Sequence, residues 1–450
     1  MKRTAESSHV FQSNMRVTLP VVERGEGVYL YDTNGKRYLD GSSGPVACNI
    51  GHGVKEIAEA MAAQAEKVSY AFRSQFTSEP MEKLADLIAE MAPGDLKRVF
   101  FVSSGSEASE MAAKIARQYH LERGNMRKEL IVSRWLSYHG ITLGALSMSG
   151  FVFRRKNYVM SLLPYPKIPA CYCYRCPLEL EYPQCQVACA RKLREVIQTT
   201  GKDYVSAFIA EPMVGAAAGA TGAPPEYFQM IREICDEFDI LFVADEVMTG
   251  FGRTGKNFAM EHWGVVPDLM TFATGASGGY YPLAGVIVSD KIYQTLKSGT
   301  GKFAAGHTYS GTPLAGAVGV KVIEYFRKNN LLGNVNQLSE YLMEQLKSLY
   351  KYSMVGDIRG KGFFTGVEFV KNRATKEPFD FPEYAKVSSM VVEKAFENGL
   401  IIYPGGGTVD GHRGDHILVA PPLTIQKKEM DELIYLLDKS IREVQKVLLP

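Results

Sequence analysis

Between about residues 95 and 290 the chain alternates short apolar runs with helical patterns, and this rhythm restricts the fold more than any other feature. Predicted strands are Arg98–Ser103, Leu130–Ser133, Ser206–Ala210, Ile240–Ala244, Leu269–Ala273 and Leu283–Val288. Between two of them Phe228, Ile231, Cys235 and Phe238 recur at helical spacing, which marks an amphipathic helix. Runs of Val, Ile and Phe separated by helices are buried on both faces. The pattern therefore predicts an α/β fold built on a mostly parallel sheet. Ligands of such sheets bind beyond the C-terminal strand ends, so the residues just after each apolar run carry the most functional information.

The two ends of the chain differ in character. Val28-Tyr29-Leu30-Tyr31 runs through Asp32-Thr33-Asn34-Gly35 into Lys36-Arg37-Tyr38-Leu39, a hairpin with a polar turn. Beyond about residue 330 the pattern is helix, strands, helix. The last helix stripes Met430, Leu433, Leu437, Ile441, Val444 and Leu448 on one face, with Thr424 as its expected cap. At 450 residues the chain is too long for one ordinary core. A large domain over residues 66–328 is expected, with residues 1–65 and 329–450 joining in a smaller α+β domain.

Apolar residues make up 46% and charged residues 22%, as in a globular protein. The 51 basic and 49 acidic side chains nearly cancel, leaving +2, and no long basic run points to nucleic acid or a membrane surface. Polar residues follow Met1-Lys2-Arg3, and no window approaches the roughly 18 apolar residues of a membrane helix. A cytoplasmic protein is expected.

Five of the seven cysteines crowd into one segment: Cys171, Cys173, Cys176, Cys185 and Cys189. Cys173-x2-Cys176 followed by Cys185-x3-Cys189 is a spacing that can converge on tetrahedral zinc. Reduced loop thiols or a local disulfide satisfy the same spacing, no histidine joins the set, and no metal is the default expectation. Cys48 and Cys235 read as ordinary buried thiols.

Four segments carry chemistry. Ser103-Ser104-Gly105-Ser106-Glu107 follows a strand and opens a helix, where N–H groups and the helix dipole favour a phosphate. Tyr138, in Ser137-Tyr138-His139-Gly140, follows the Leu130–Ser133 run and can stack on a flat heterocycle. Asp245 ends the strongest strand, where a buried carboxylate needs a partner. Glu211-Pro212 offers a second carboxylate after the preceding strand.

In order and separation over residues 25 to 425, these motifs resemble class III aminotransferases, which are fold-type I transferases dependent on pyridoxal phosphate (PLP). The resemblance implies that Gly105 and Ser106 hold the PLP phosphate and that Tyr138 stacks on the pyridine ring with His139 beside it. It places Asp245 on the ring nitrogen, Val247 against the opposite face, and Glu211 at the active site. Thr308, in His307-Thr308-Tyr309-Ser310-Gly311, matches the residue that reaches the phosphate bound by the partner subunit of a homodimer. The implied reaction is amino transfer between an amine or amino acid and a 2-oxo acid, of the omega-amino acid type. An amino-acid racemase or epimerase of the same fold and a non-catalytic PLP-binding protein are the alternatives.

The largest departure is in Phe272-Ala273-Thr274-Gly275, where the residue matching Thr274 is the family's Schiff-base lysine. A hydroxyl cannot take over that lysine's covalent bond or its proton transfer. Three explanations stay open: a substitution that traps an adduct, a member that binds PLP without turnover, or a reaction whose proton moves through another group. Lys256 and Lys302, on either side of Thr274 in sequence, read as surface residues. His416-Ile417-Leu418-Val419-Ala420 precedes Pro421-Pro422-Leu423, where several relatives carry a carboxylate-binding arginine. Arg413 resembles the mobile arginine of omega-transaminases and is the candidate for a substrate carboxylate. Ser42-Ser43-Gly44-Pro45-Val46 lacks a bulky aromatic found in many relatives, which predicts a roomier pocket wall.

Overall fold

The computed structural model describes residues 9–382 and 386–449. The Met1-Lys2-Arg3 start lies outside the described residues. The central sheet has seven strands in the order Leu96–Val102, Ala284–Ser289, Leu269–Phe272, Leu241–Asp245, Val205–Ala210, Leu130–Arg134 and Lys167–Ile168. Ala284–Ser289 runs antiparallel to both neighbours, and the pairs from Leu269–Phe272 outward to Lys167–Ile168 are parallel. Val205–Ala210, Leu241–Asp245 and Leu269–Phe272 are buried along their whole length, which explains their unbroken apolar runs.

Alternation within these strands feeds two cores. Phe208, Phe242, Met270 and Phe272 face one side, where Phe228 of the Tyr227–Glu237 helix stacks on Phe242 with centroids 5.9 Å apart. Ala207, Ile209, Leu241 and Val243 face the other, against Met111 and Ile115 of the Gly105–Glu122 helix. Lys167–Ile168 escaped the sequence reading because two residues are too short to show a period. The register Asp245↔Thr271 shows that Asp245 is still in the ladder, one residue beyond the predicted strand end.

The two chain ends meet in a second sheet. Val22–Glu26, Tyr29–Asp32 and Arg37–Asp40 form an antiparallel meander, and Leu400–Ile401 pairs parallel to its last strand. Val22–Glu26 was not predicted, being polar and largely exposed. A third sheet orders Val355–Lys361, Phe364–Phe369, Asp415–Val419 and Tyr403–Gly406. The helix Val387–Glu397 interrupts the predicted C-terminal series of strands. The final helix is Lys427–Leu448, and its cap is Gln426, not Thr424. Thr424 lies in a turn closed by the Ile425 N–H on the Pro422 carbonyl, whereas Gln426 is extended and its N–H donates to Glu429 Oε2 at 2.8 Å. Thr424 Oγ1 is buried without a partner. Among the described residues no helix is long and apolar enough to cross a membrane.

Candidate cofactor and active site

A cavity of about 190 Å³ opens beyond the C-terminal ends of the central strands. Gly105, Ser106, Tyr138, His139, Glu211, Asp245 and Val247, far apart in sequence, all line it. A larger cavity of about 420 Å³, between Arg73 and Phe303, is lined by none of the candidate site residues.

The cup is set by a capping box. Glu107 Oε2 accepts the N–H groups of Ser103 and Ser104 at 2.8 and 3.0 Å, while Ser104 Oγ accepts the Glu107 N–H. The N–H groups of Gly105 and Ser106 come first in the helix and have no intrahelical acceptor, so they are available to an anion. A side chain at position 105 would place Cβ 3.0 Å from Val247 Cγ1. Position 140 has φ of +132°, and a Cβ there would lie 2.6 Å from Ser106 Oγ. Glycine at both points keeps the cup open.

Asp245 is held by three donors. His139 Nδ1 lies 2.6 Å from Oδ2, and the Val247 N–H and Thr271 hydroxyl each donate to Oδ1 at 3.1 Å. The pair is essentially buried, with His139 at 0% and Asp245 at 3% side-chain exposure. His139 Nε2 is buried without a partner in the protein. Such a set, aimed into a cavity, suits a heterocycle with a protonated ring nitrogen. The donor set, the open cup and the orphaned imidazole atom together fit PLP.

Glu211 accepts the Tyr138 N–H at 3.0 Å and the Gly215 N–H at 3.2 Å, fixing the loop that carries the ring. Burial pushes its carboxyl up to about 7. Burial does the same to neighbouring Glu246, but that side chain binds the Thr249 hydroxyl and the Met260 N–H and does not line the cavity.

Three candidate residues stand apart from the cavity. Thr274 follows the Leu269–Phe272 strand in a 3-10 turn, half-buried, and its side chain does not reach the lining. Thr308 is exposed; its loop is tied to the same chain's cup by His307 Nε2, 3.1 Å from Glu107 Oε1. Arg413 is exposed, and its Nε donates to Asp410 Oδ2 at 2.8 Å. Thr249 and Tyr403 line the cavity without having been predicted. Tyr403 comes from the third sheet, and no motif around it could have revealed this.

His416, where several relatives have arginine, is fully buried, with Nε2 3.2 Å from the Ala216 carbonyl oxygen. Burial and then Arg359 push its imidazole down to about 4, so it enters the fold neutral. Between pH 4 and 6.5 the unfolded chain binds the proton that the folded chain refuses. Its contribution to stability is complete above pH 6.5 and falls away as pH drops to 4, by about 3 kcal/mol. Unfolding free energies measured across that window should show this loss, and His416→Gln should flatten the slope.

Cys235 is buried as expected, but Cys48 is only half-buried. It sits with Asp40 and His52 in the one group of three potential metal ligands among the described residues, all within 4.8 Å. The buried guanidinium of Arg253 faces Asp40 and Cys48 and opposes any cation there.

The profile of the family described as aminotransferase class-III matches residues 10–441. An uncharacterized aminotransferase of Bacillus subtilis, YodT, is 44% identical over 441 residues, covering 98% of this chain and 99% of that protein. The structure of an (S)-enantioselective omega-transaminase from Thermomicrobium roseum superposes with a TM-score of 0.90 at 37% identity, covering 97% of this chain and 96% of that one. An amine transaminase from an uncultivated Pseudomonas species, solved in a PLP-bound form, gives a TM-score of 0.89 at 32% identity over 96% of this chain and 97% of that one.

Proposed function

The chain belongs to the class-III aminotransferase family, whose cofactor is PLP, and we propose that it binds PLP and an amine or amino acid but transfers the amino group slowly, because Thr274 stands at the family's lysine position. The cavity carries this reading: separate strand ends deliver an anion cup, an aromatic wall and a buried carboxylate to one point. Gly105 and Ser106 would hold the phosphate, Tyr138 and Val247 the ring faces, and Asp245 the ring nitrogen. Bound PLP supplies an electron sink for charge developing at the substrate α-carbon. His139 keeps Asp245 in place, and Glu211 can hold or release a proton near neutral pH. Lys256 and Lys302 are exposed and do not line the cavity.

In this reading residues 66–328 form the cofactor-binding domain of a cytoplasmic homodimer. Thr308 would serve the partner subunit's site, and Arg413 would swing from Asp410 to a substrate carboxylate. Exposed Phe72, Phe76, Ile141 and Met160 support burial against a second copy. A racemase or epimerase would need a proton donor on each face of the carbon, and Val247 has none to give. Thr274 favours one second reading, a PLP-binding protein without turnover.

Titration of the purified chain with PLP tests the assignment. Saturable binding is expected, with no borohydride-stable link to lysine. A chain that fails to bind PLP overturns the cofactor site, and a stable link would mean that another lysine has taken over.

A further inference from the structure

The cysteine-rich segment is unused by the reading above, and its fold brings the predicted ligands around one point. Cys173 lies in the 3-10 turn Cys173–Arg175 with Cys176 directly after it, while Cys189 lies in the first turn of the helix Ala188–Thr200. Cys173, Cys176, Cys185 and Cys189 line a single small cavity of about 20 Å³, the room that one water or one ion requires. From this convergence we propose that these four cysteines form a structural zinc site.

A second observation concerns charge. Four thiols binding Zn²⁺ release four protons and leave a centre of net charge −2. Arg134, 1% exposed, has no ion-paired carboxylate among the described residues, and its Nε lacks any partner. Its guanidinium is within electrostatic reach of Cys171 and Cys189. Glu211, which burial pushes towards its neutral form, supplies part of the guanidinium's counter-charge, and a tetrathiolate centre adds to it. The fifth cysteine has a place too: buried Cys171 is hydrogen-bonded to Cys189, as an outer donor to a metal-bound sulfur would be.

The sulfurs stand too far apart as they are: no three of the four lie within 4.8 Å of one another among the described residues. Zn–S bonds of about 2.3 Å require sulfur separations of about 3.8 Å. The metal draws the thiols in by side-chain rotation, which the exposed Cys173 and the half-buried Cys176, Cys185 and Cys189 can make. Gln186 and Val187, with φ of +48° and +54°, hold the turn that sets Cys185 before Cys189.

Metal analysis of tag-free, reduced, PLP-loaded protein tests the site. About one zinc per chain is expected. Cobalt in its place should give the charge-transfer bands of a tetrahedral thiolate centre. The double variant Cys176→Ser/Cys185→Ser should lose the zinc while PLP absorbance is retained. Should that variant fail to fold, iodoacetamide mapping of the unaltered chain decides: zinc should protect these four cysteines, and a chelator should expose them. The proposal is overturned if reduced protein supplied with zinc binds none, if the variant keeps its zinc, if the four cysteines alkylate equally with and without metal, or if they are found joined as disulfides.

Discussion

Thr274→Lys is expected to raise amine–keto acid exchange by about 10²–10⁴-fold, the usual worth of one well-placed proton-transfer group. Position 274 begins the turn after the Leu269–Phe272 strand, whose Thr271 donates to Asp245, so a long side chain here starts one turn from the buried carboxylate. Threonine ends too soon: it is half-buried and outside the cavity lining. Lysine also brings a nucleophilic amine, which a hydroxyl cannot imitate. Thr274→Met is the control for length without a proton, and it should leave the rate unchanged. If Thr274→Lys binds PLP and gains no exchange, the assignment of position 274 is wrong.

Asp245→Asn is expected to weaken PLP binding at least tenfold and, in the Thr274→Lys background, to lower exchange by about 10²-fold or more. The carboxylate collects His139 Nδ1, the Val247 N–H and the Thr271 hydroxyl inside a buried wall. An amide keeps the volume and loses the charge, and its NH₂ meets a donor on one side. Loss of a buried, hydrogen-bonded charge commonly costs about 3–5 kcal/mol when the partner remains. Glu246→Gln is the matched control, because that neighbour is as buried but bonds to the Thr249 hydroxyl and the Met260 N–H and does not itself line the cavity. Glu246→Gln should reduce stability and leave PLP affinity nearly intact. Titration of both variants by cofactor absorbance separates the outcomes. Equal effects in the two would reduce Asp245 to a structural role.

The cavity lining shows how far local patterns reach. Gly105, Ser106, Tyr138, His139, Glu211, Asp245 and Val247 each follow an apolar run. The rule that ligands bind at strand ends pointed to the segments after these runs, and the family resemblance implied Gly105, Ser106, His139 and Val247 within them. Thr249 lies beyond the same run as Val247 and was passed over, while Tyr403 had no such marker. Tyr403 belongs to a strand that the third sheet brings to the cavity from more than 150 residues beyond Asp245, and long-range packing of that kind leaves no trace in periodicity. Cap geometry behaved similarly. Thr424 is the better capping residue by type, yet the helix starts after Gln426 because Glu429 closes the box there.

By itself the sequence determined the α/β alternation, the strand-end residues and the family. Each depends on residue type and on spacing within a few positions, which local stereochemistry translates directly into structure. Only the tertiary structure decided which groups hold Asp245: the His139 imidazole, the Val247 N–H and the Thr271 hydroxyl. It also decided that His416 is held neutral, that Arg413 rests on Asp410, and that the four cysteines share one small void. The burial and field at His416 come from segments such as Ala216, 200 residues away, and these meet only when the sheets pack.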